Sequence, residues 1–235
     1  MKWTGSILLM IILSCILVSF SLTDIGNVKN SLIKNNLKGR VKMIVEETYG
    51  VVIKFGEISK SEDKTKLKQI LKYDVNGNLI ELLTYDLMNK NSIPSPNYKY
   101  DSKGNCMVIS FYDSKKSLSE KRTNFKYDKK GNEIGYDSYD PSGLLFRKTI
   151  LKYDQRDHLI EETSYESNNT LKSTYNYDEN GNEIKCTNFK PDGGLSEIIT
   201  YKYTKFDNMR NWINRIEFQD NNPVFIEDRE IEYYQ

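Results

Sequence analysis

From residue 66 onward, short runs rich in apolar and β-branched residues alternate with polar clusters holding Asn, Asp and Gly, and they do so on a steady beat. Runs such as EIKCTNF (183–189) and LFRKTILKY (145–153) are broken by turn chemistry before a third helical turn could form, so they predict strands. Aligned on an aromatic-acid pair, the chain shows six copies of one phrase, led by Tyr73, Tyr100, Tyr127, Tyr153, Tyr177 and Phe206, at spacings of 27, 27, 26, 24 and 29 residues. Seven residues after each lead aromatic stands Ile80, Met107, Ile134, Ile160, Ile184 or Ile213, and twelve after it Tyr85, Tyr112, Tyr139, Tyr165, Phe189 or Phe218. Neither interval drifts, so the segment between them is one inflexible unit.

Each phrase is a turn. Four of the six copies place Gly four residues after the lead aromatic, at Gly77, Gly104, Gly131 and Gly181, and glycine accepts the positive φ of a tight reversal at little cost. The Asp after the aromatic can bind backbone N–H groups two residues on. A weaker copy of the phrase follows the second aromatic, as in Tyr139-Asp140-Pro141-Ser142-Gly143. Twelve turns separated by about eight residues imply an antiparallel meander, all-β, of at least eleven strands in sequence order, with no helix longer than two turns after residue 37.

For the register, a two-residue turn at Asn76-Gly77 is favoured. It would set Tyr73 opposite Ile80, both on one apolar face; a type I turn with a glycine bulge would set Tyr73 opposite Leu79 instead. The change of parity between positions seven and twelve then requires a bulge, or aromatics on both faces. Cys106 and Cys186, six and nine residues after their lead aromatics, are expected on opposite faces and unpaired, as small buried hydrophobes.

The domain reading has four parts. Residues 1–21 are a signal peptide, 22–36 a flexible polar tether, and 37–235 the β domain, made of an N-terminal cap (37–65), six repeats (66–222) and a closing strand (223–235). Lys2 and the apolar run 7–20 support export, with cleavage after Ser21 the first choice. Lipidation of Cys15 within Ile12-Leu13-Ser14-Cys15, giving a membrane tether, and an uncleaved anchor are the alternatives.

Seventeen Tyr and nine Phe suit strands. Without residues 1–21 the chain carries 33 basic and 33 acidic residues, and a net charge of zero is no nucleic-acid footprint. The charges read as a solvated face with mixed signs. His158, the only histidine, stands where other copies have Asn and reads as a solvated turn residue, which leaves no Ser-His-Asp or Cys-His constellation. Glu161 and Glu162 are neighbours in a strand and must point to opposite faces, so they make no acid-base pair. No catalytic, cofactor or metal site is expected. Tyr112, Tyr139 and Tyr165 recur on alternate strands and form a candidate binding ladder for sugar rings or a protein's apolar groups; cross-strand packing is its structural role.

The phrase Tyr-Asp-x-x-Gly-Asn followed by a β run and a second aromatic, on a period of about 24 to 27, resembles the YD repeat of bacterial Rhs proteins and eukaryotic teneurins over residues 66–235. The resemblance implies strands laid side by side in a long coiling sheet, which in large members closes around a toxic C-terminal domain. Six repeats are too few to enclose such a domain, so small exported proteins built only of these repeats are the closer comparison. The expected function is a noncatalytic cell-envelope or surface module that binds a protein or glycan. An accessory or remnant of an Rhs-type toxin system is the alternative, and a glycan-active enzyme the third.

Overall fold

The computed structural model describes residues 31–61, 67–88, 90–101, 106–113, 115–166 and 169–235. The expectations for residues 1–30, including Cys15, and for Gly104 lie outside these. A four-residue helix, α1 (Ser31–Lys34), precedes the strands. The first five strands are β1 (Val41–Lys54), β2 (Glu57–Lys60), β3 (Leu67–Tyr73), β4 (Leu79–Asp86) and β5 (Asn91–Ile93). Next come β6 (Asn97–Tyr100), β7 (Cys106–Tyr112), β8 (Leu118–Tyr127), β9 (Glu133–Tyr139), β10 (Leu145–Tyr153) and β11 (Leu159–Glu166). The last five are β12 (Thr170–Tyr177), β13 (Glu183–Phe189), β14 (Leu195–Phe206), β15 (Trp212–Gln219) and β16 (Asn222–Tyr233).

All pairings are antiparallel, and β6 to β16 are eleven neighbours in sequence order. The two end segments do not cap separate edges. Instead β1 lies between β16 and β3, pairing with β16 from Val41 to Gly50, and the path runs β5-β4-β3-β1-β16 and on down to β6. Its two end strands, β5 and β6, are joined by residues 94–96 alone. Four Cα steps span at most about 14 Å, so the sheet must curl until its ends meet. At this seam the Leu82 N–H donates to Ser95 Oγ at 3.1 Å, and Tyr98 packs on the cluster of Val41, Ile44, Leu71, Tyr73, Leu79 and Leu82. Pro94 and Pro96 lie in this seam, where a residue without an N–H costs no ladder bond.

The turns use the alternative geometry. Gly77 N–H donates to Asp74 O, Asp74 N–H donates to Asn78 O, and Gly77 has φ +86°: a type I turn closed by a glycine bulge. Tyr73 therefore faces Leu79, and Ile80 and Glu81 together face Lys72. The extra residue turns Ile80 outward, where it is 62% exposed, while Tyr73 is 1% exposed. The expected pairing of Tyr73 with Ile80 on one apolar face is thus corrected, and the reason is the bulge. It also corrects the cysteines, since a bulge between positions six and nine sends both inward: Cys106 and Cys186 are buried, free thiols.

The Asp and Asn of the phrase have one job. Asp128 Oδ1 accepts the N–H groups of Lys130 (2.8 Å) and Asn132 (2.9 Å), and its Oδ2 accepts Asn132 Nδ2 (2.9 Å). Asp74 with Asn78 and Asp178 with Asn182 repeat the clasp. These bonds hold the Asp128 carboxyl below its ordinary range against the desolvation that would raise it. At the fourth turn His158 Nδ1 takes the place of the Asn amide on Asp154 Oδ2 at 3.1 Å. Its ring also stacks on Tyr177 with centroids 4.8 Å apart, so His158 is half-buried rather than solvated. His158→Asn should keep the clasp and lose the stack, lowering stability by about 0.5–1 kcal/mol in urea unfolding. A neutral or stabilising result would show that the stack contributes nothing.

Of the stretch 22–36 read as a tether, residues 31–36 are docked across the turn rim. Leu32 N–H donates to Gly77 O, Ser31 Oγ accepts Leu79 N–H, and Asn36 Nδ2 reaches Asn180 O and Asn182 Oδ1. Lys38 follows, exchanging two 2.8 Å bonds between its backbone and the Asn211 side chain.

Candidate functional site on the outer wall

The curled sheet has two faces of opposite chemistry. Every strand arginine points inward. Arg215 lies between Tyr201 and Trp212, 4.2 and 4.4 Å from their ring centroids, and is ion-paired to Glu227. Arg229 sits over Trp212 and pairs with Glu46 at 2.5 Å, while Arg122 covers Phe111 and Tyr136 and pairs with Glu120 at 2.7 Å. No strand lysine among the described residues is buried. The partition follows from hydration: a planar, weakly hydrated guanidinium stacks on rings, whereas an ammonium keeps its water.

Acids outnumber cations inside. Glu162 and Glu183 are each pushed up to about 7 chiefly by burial, the former also by Glu133, and Glu217 is pushed to about 8 by burial and by Glu227. Glu162 Oε2 is buried with no hydrogen-bond partner among the described residues. Glu161, its neighbour, points out and bridges Lys152 (2.6 Å) and Lys172 (2.7 Å).

On the outer wall the position-twelve aromatics form a register with lysine. Lys121 of β8 lies opposite Tyr139 of β9, Lys148 of β10 opposite Tyr165 of β11, and Lys172 of β12 opposite Phe189 of β13. A fourth copy pairs Lys68 with Tyr85. Tyr112, on β7, stands opposite Leu118, as Tyr139 and Phe189 on their second sides stand opposite Leu145 and Leu195. The three predicted ladder residues thus share a face on alternate strands. Tyr165 is 46% exposed; Tyr112 and Tyr139 are half-buried, the latter's hydroxyl accepting Asn124 Nδ2 at 3.2 Å. They pack across strands and still present ring surface between lysines. Sequence reasoning found the aromatics and missed the lysines, although Lys recurs five residues before Tyr73, Tyr153 and Tyr177. The expected mixture of signs holds on β1 to β4 and β16, where Lys42, Lys60, Lys68 and Lys72 pair with Glu232, Asp228, Glu47 and Glu81, and gives way to lysine over the rest of the wall. On β6 to β14 the outward lysines 99, 121, 126, 148, 152, 172, 185, 202 and 205 are set against Asp137 and Glu161.

An open recess of about 520 Å³ lies between the third and fourth turns and includes Asp128 and Asp154 in its lining. Both carboxylates are occupied by their own turns, and no group of three or more His, Cys, Asp or Glu is placed to hold a metal among the described residues.

A porin-like protein from Bacteroides uniformis shares this fold, with a TM-score of 0.51 at 10% identity over 83% of this chain and 98% of that one. A porin-like protein from Bacteroides vulgatus aligns at TM-score 0.46 and 13% identity, over 83% of this chain and 98% of that chain. The Tc holotoxin pore of Photorhabdus luminescens aligns at 0.33 and 15%, over 76% of this chain and 9% of its own. No curated protein matches the sequence. A family model described as "Uncharacterised protein" matches residues 70–209, more than half of the chain, and the chain belongs to that family.

Proposed function

We propose that the protein is a noncatalytic, exported YD-repeat module of the cell envelope or surface, and that its outer wall binds an anionic glycan. The repeated lysine-aromatic register carries this reading. Alternate strands are roughly 10 Å apart, so rings and ammonium groups recur along the wall at a spacing a sugar chain can follow, the rings meeting sugar faces and the lysines meeting carboxylate or phosphate. The YD-repeat identity is supported by the six-fold phrase and by the clasp that gives its Asp, Gly and Asn distinct duties.

The porin-like fold does not make the wall a lipid-facing one. A membrane barrel needs an apolar band about 25 Å tall, and a lysine at its midplane costs about 2–4 kcal/mol. Here Lys148, Lys152 and Lys172 stand on consecutive parts of the wall with Glu161 between them, which favours water outside.

Binding of polygalacturonate and of neutral dextran, followed by affinity electrophoresis, tests the proposal. The carboxylated polymer should bind, weaken steeply between 50 and 300 mM salt on the order expected for exposed charges, and lose about tenfold or more in Lys121→Ser/Lys148→Ser/Lys172→Ser. Retention of binding by that variant, or equal binding of dextran, would refute it.

A further inference from the structure

The inner face holds a second feature, independent of the wall. Glu183, Glu197, Glu217 and Glu227 lie on four consecutive strands, β13 to β16, around the single guanidinium of Arg215. Two of the four are accounted for: Glu227 pairs with Arg215, and Glu197 accepts Asn188 Nδ2 at 2.9 Å and Gln219 Nε2 at 2.7 Å. Glu217 lies between Tyr201 of β14 and Phe225 of β16, and Glu183 opposite Tyr177 of β12. The remaining charged or titratable neighbours are Arg229, committed to Glu46 of β1, and Tyr203, whose hydroxyl donates to the Glu183 carbonyl at 2.7 Å. The cluster abuts β16 and β1, the pair that joins the two ends of the chain.

We propose that this cluster is a pH-responsive joint: with Glu217 and Glu183 neutral, β13 to β16 stay packed against β1, and their ionisation loosens the β16–β1 pairing. Two added negative charges would face one already paired arginine at low dielectric, where like charges repel strongly. The sign follows from burial. Both carboxyls are raised above an ordinary value of 4.5, to about 7 and about 8, so the stability they contribute is complete below about 4.5 and is lost as pH rises through 7 to 8. Groups held low, such as Glu47, Glu120 and Asp128, act in the opposite sense and only at acid pH, outside this window.

Hydrogen exchange of the full chain at pH 6.0 and 8.5, corrected for intrinsic base catalysis, reads the joint directly. Amides of β1 and β16 should exchange at least tenfold faster at pH 8.5 in the wild type and less than twofold faster in Glu217→Gln/Glu183→Gln. The Gln variants mimic the neutral state, so they should fold, and the double variant should melt above wild type at pH 8.5 by a margin that shrinks as pH falls to 4.5. Glu183→Gln alone should remove part of the response. Glu197→Gln, at a carboxylate already satisfied, should leave it intact. A wild type with no pH response overturns the proposal, as does a response that survives both Gln substitutions or is abolished by Glu197→Gln.

Discussion

Gly135→Ala is expected to lower stability by about 2–3 kcal/mol in urea or thermal unfolding, a large effect for one methyl group. Gly135 is position eight of the third repeat, within β9. A Cβ built there would lie 2.7 Å from the carbonyl oxygen of Thr149, and that oxygen belongs to the backbone of β10, which pairs with β9 through Ile150 and Gly135. A side chain could swing away, whereas a ladder carbonyl can move only by distorting its strand. The other copies carry Glu81, Val108, Glu161, Lys185 and Asn214 at this position, so the repeat itself does not demand glycine. β8 contains one residue more between Thr123 and Lys126 than β9 has between Asp137 and Gly135, as β14 does beside Asn214, so the bulge on that side does not itself call for glycine and the approach of the Thr149 carbonyl from β10 does. Glu161→Ala, at the same position two strands away, should change stability by less than about 1 kcal/mol, the value of exposed ion pairs. Equal effects at both positions would show that the approach of β10 is not what excludes a side chain.

This contrast marks where the sequence was legible. The number of strands, their antiparallel order and the turn positions could be read because each rests on local chemistry repeated six times: an Asp that caps N–H groups, a residue that tolerates φ > 0, and a run of fixed length. Register could not, since Asn76-Gly77 suits both a two-residue turn and a type I turn with a bulge, and only the ladder decides between them. One wrong choice there misplaced Ile80 and Cys106 together: without a bulge, positions seven and nine share the apolar face and position six lies on the other, whereas the extra residue turns position seven out and leaves six and nine inside. The docking of residues 31–38 had no local signal at all: Ser31, Asn36 and Lys38 bind the first, fifth and sixth turns, up to 173 residues away in sequence. The tyrosines of the outer wall were visible as a row, while their lysines emerged only once Lys121, Lys148 and Lys172 were placed opposite them.

Arg215→Met should cost more than any other single substitution on the inner face, on the order of 3–5 kcal/mol. The reason is what it leaves behind. Arg215 compensates Glu227 directly and lowers the cost of Glu183 and Glu217, whose carboxyls it holds down against burial. Without it, four glutamates of adjacent strands face one another with no cation of their own, since Arg229 is committed to Glu46. Methionine fills the space between Tyr201 and Trp212, so the loss reports charge rather than volume. Arg215→Lys keeps the charge but gives up the plane that stacks on both rings and the directed bond to Glu227, and should retain about half of the stability that methionine loses. Adding Glu227→Gln to Arg215→Met removes the uncompensated charge and should recover at least 1 kcal/mol of the deficit. Measured together by urea unfolding at pH 7, the three variants separate two explanations. If Arg215→Met and Arg215→Lys destabilise equally, stacking geometry carries the interaction; if the double variant recovers nothing, the loss does not come from the Arg215–Glu227 ion pair and Arg215 acts by packing.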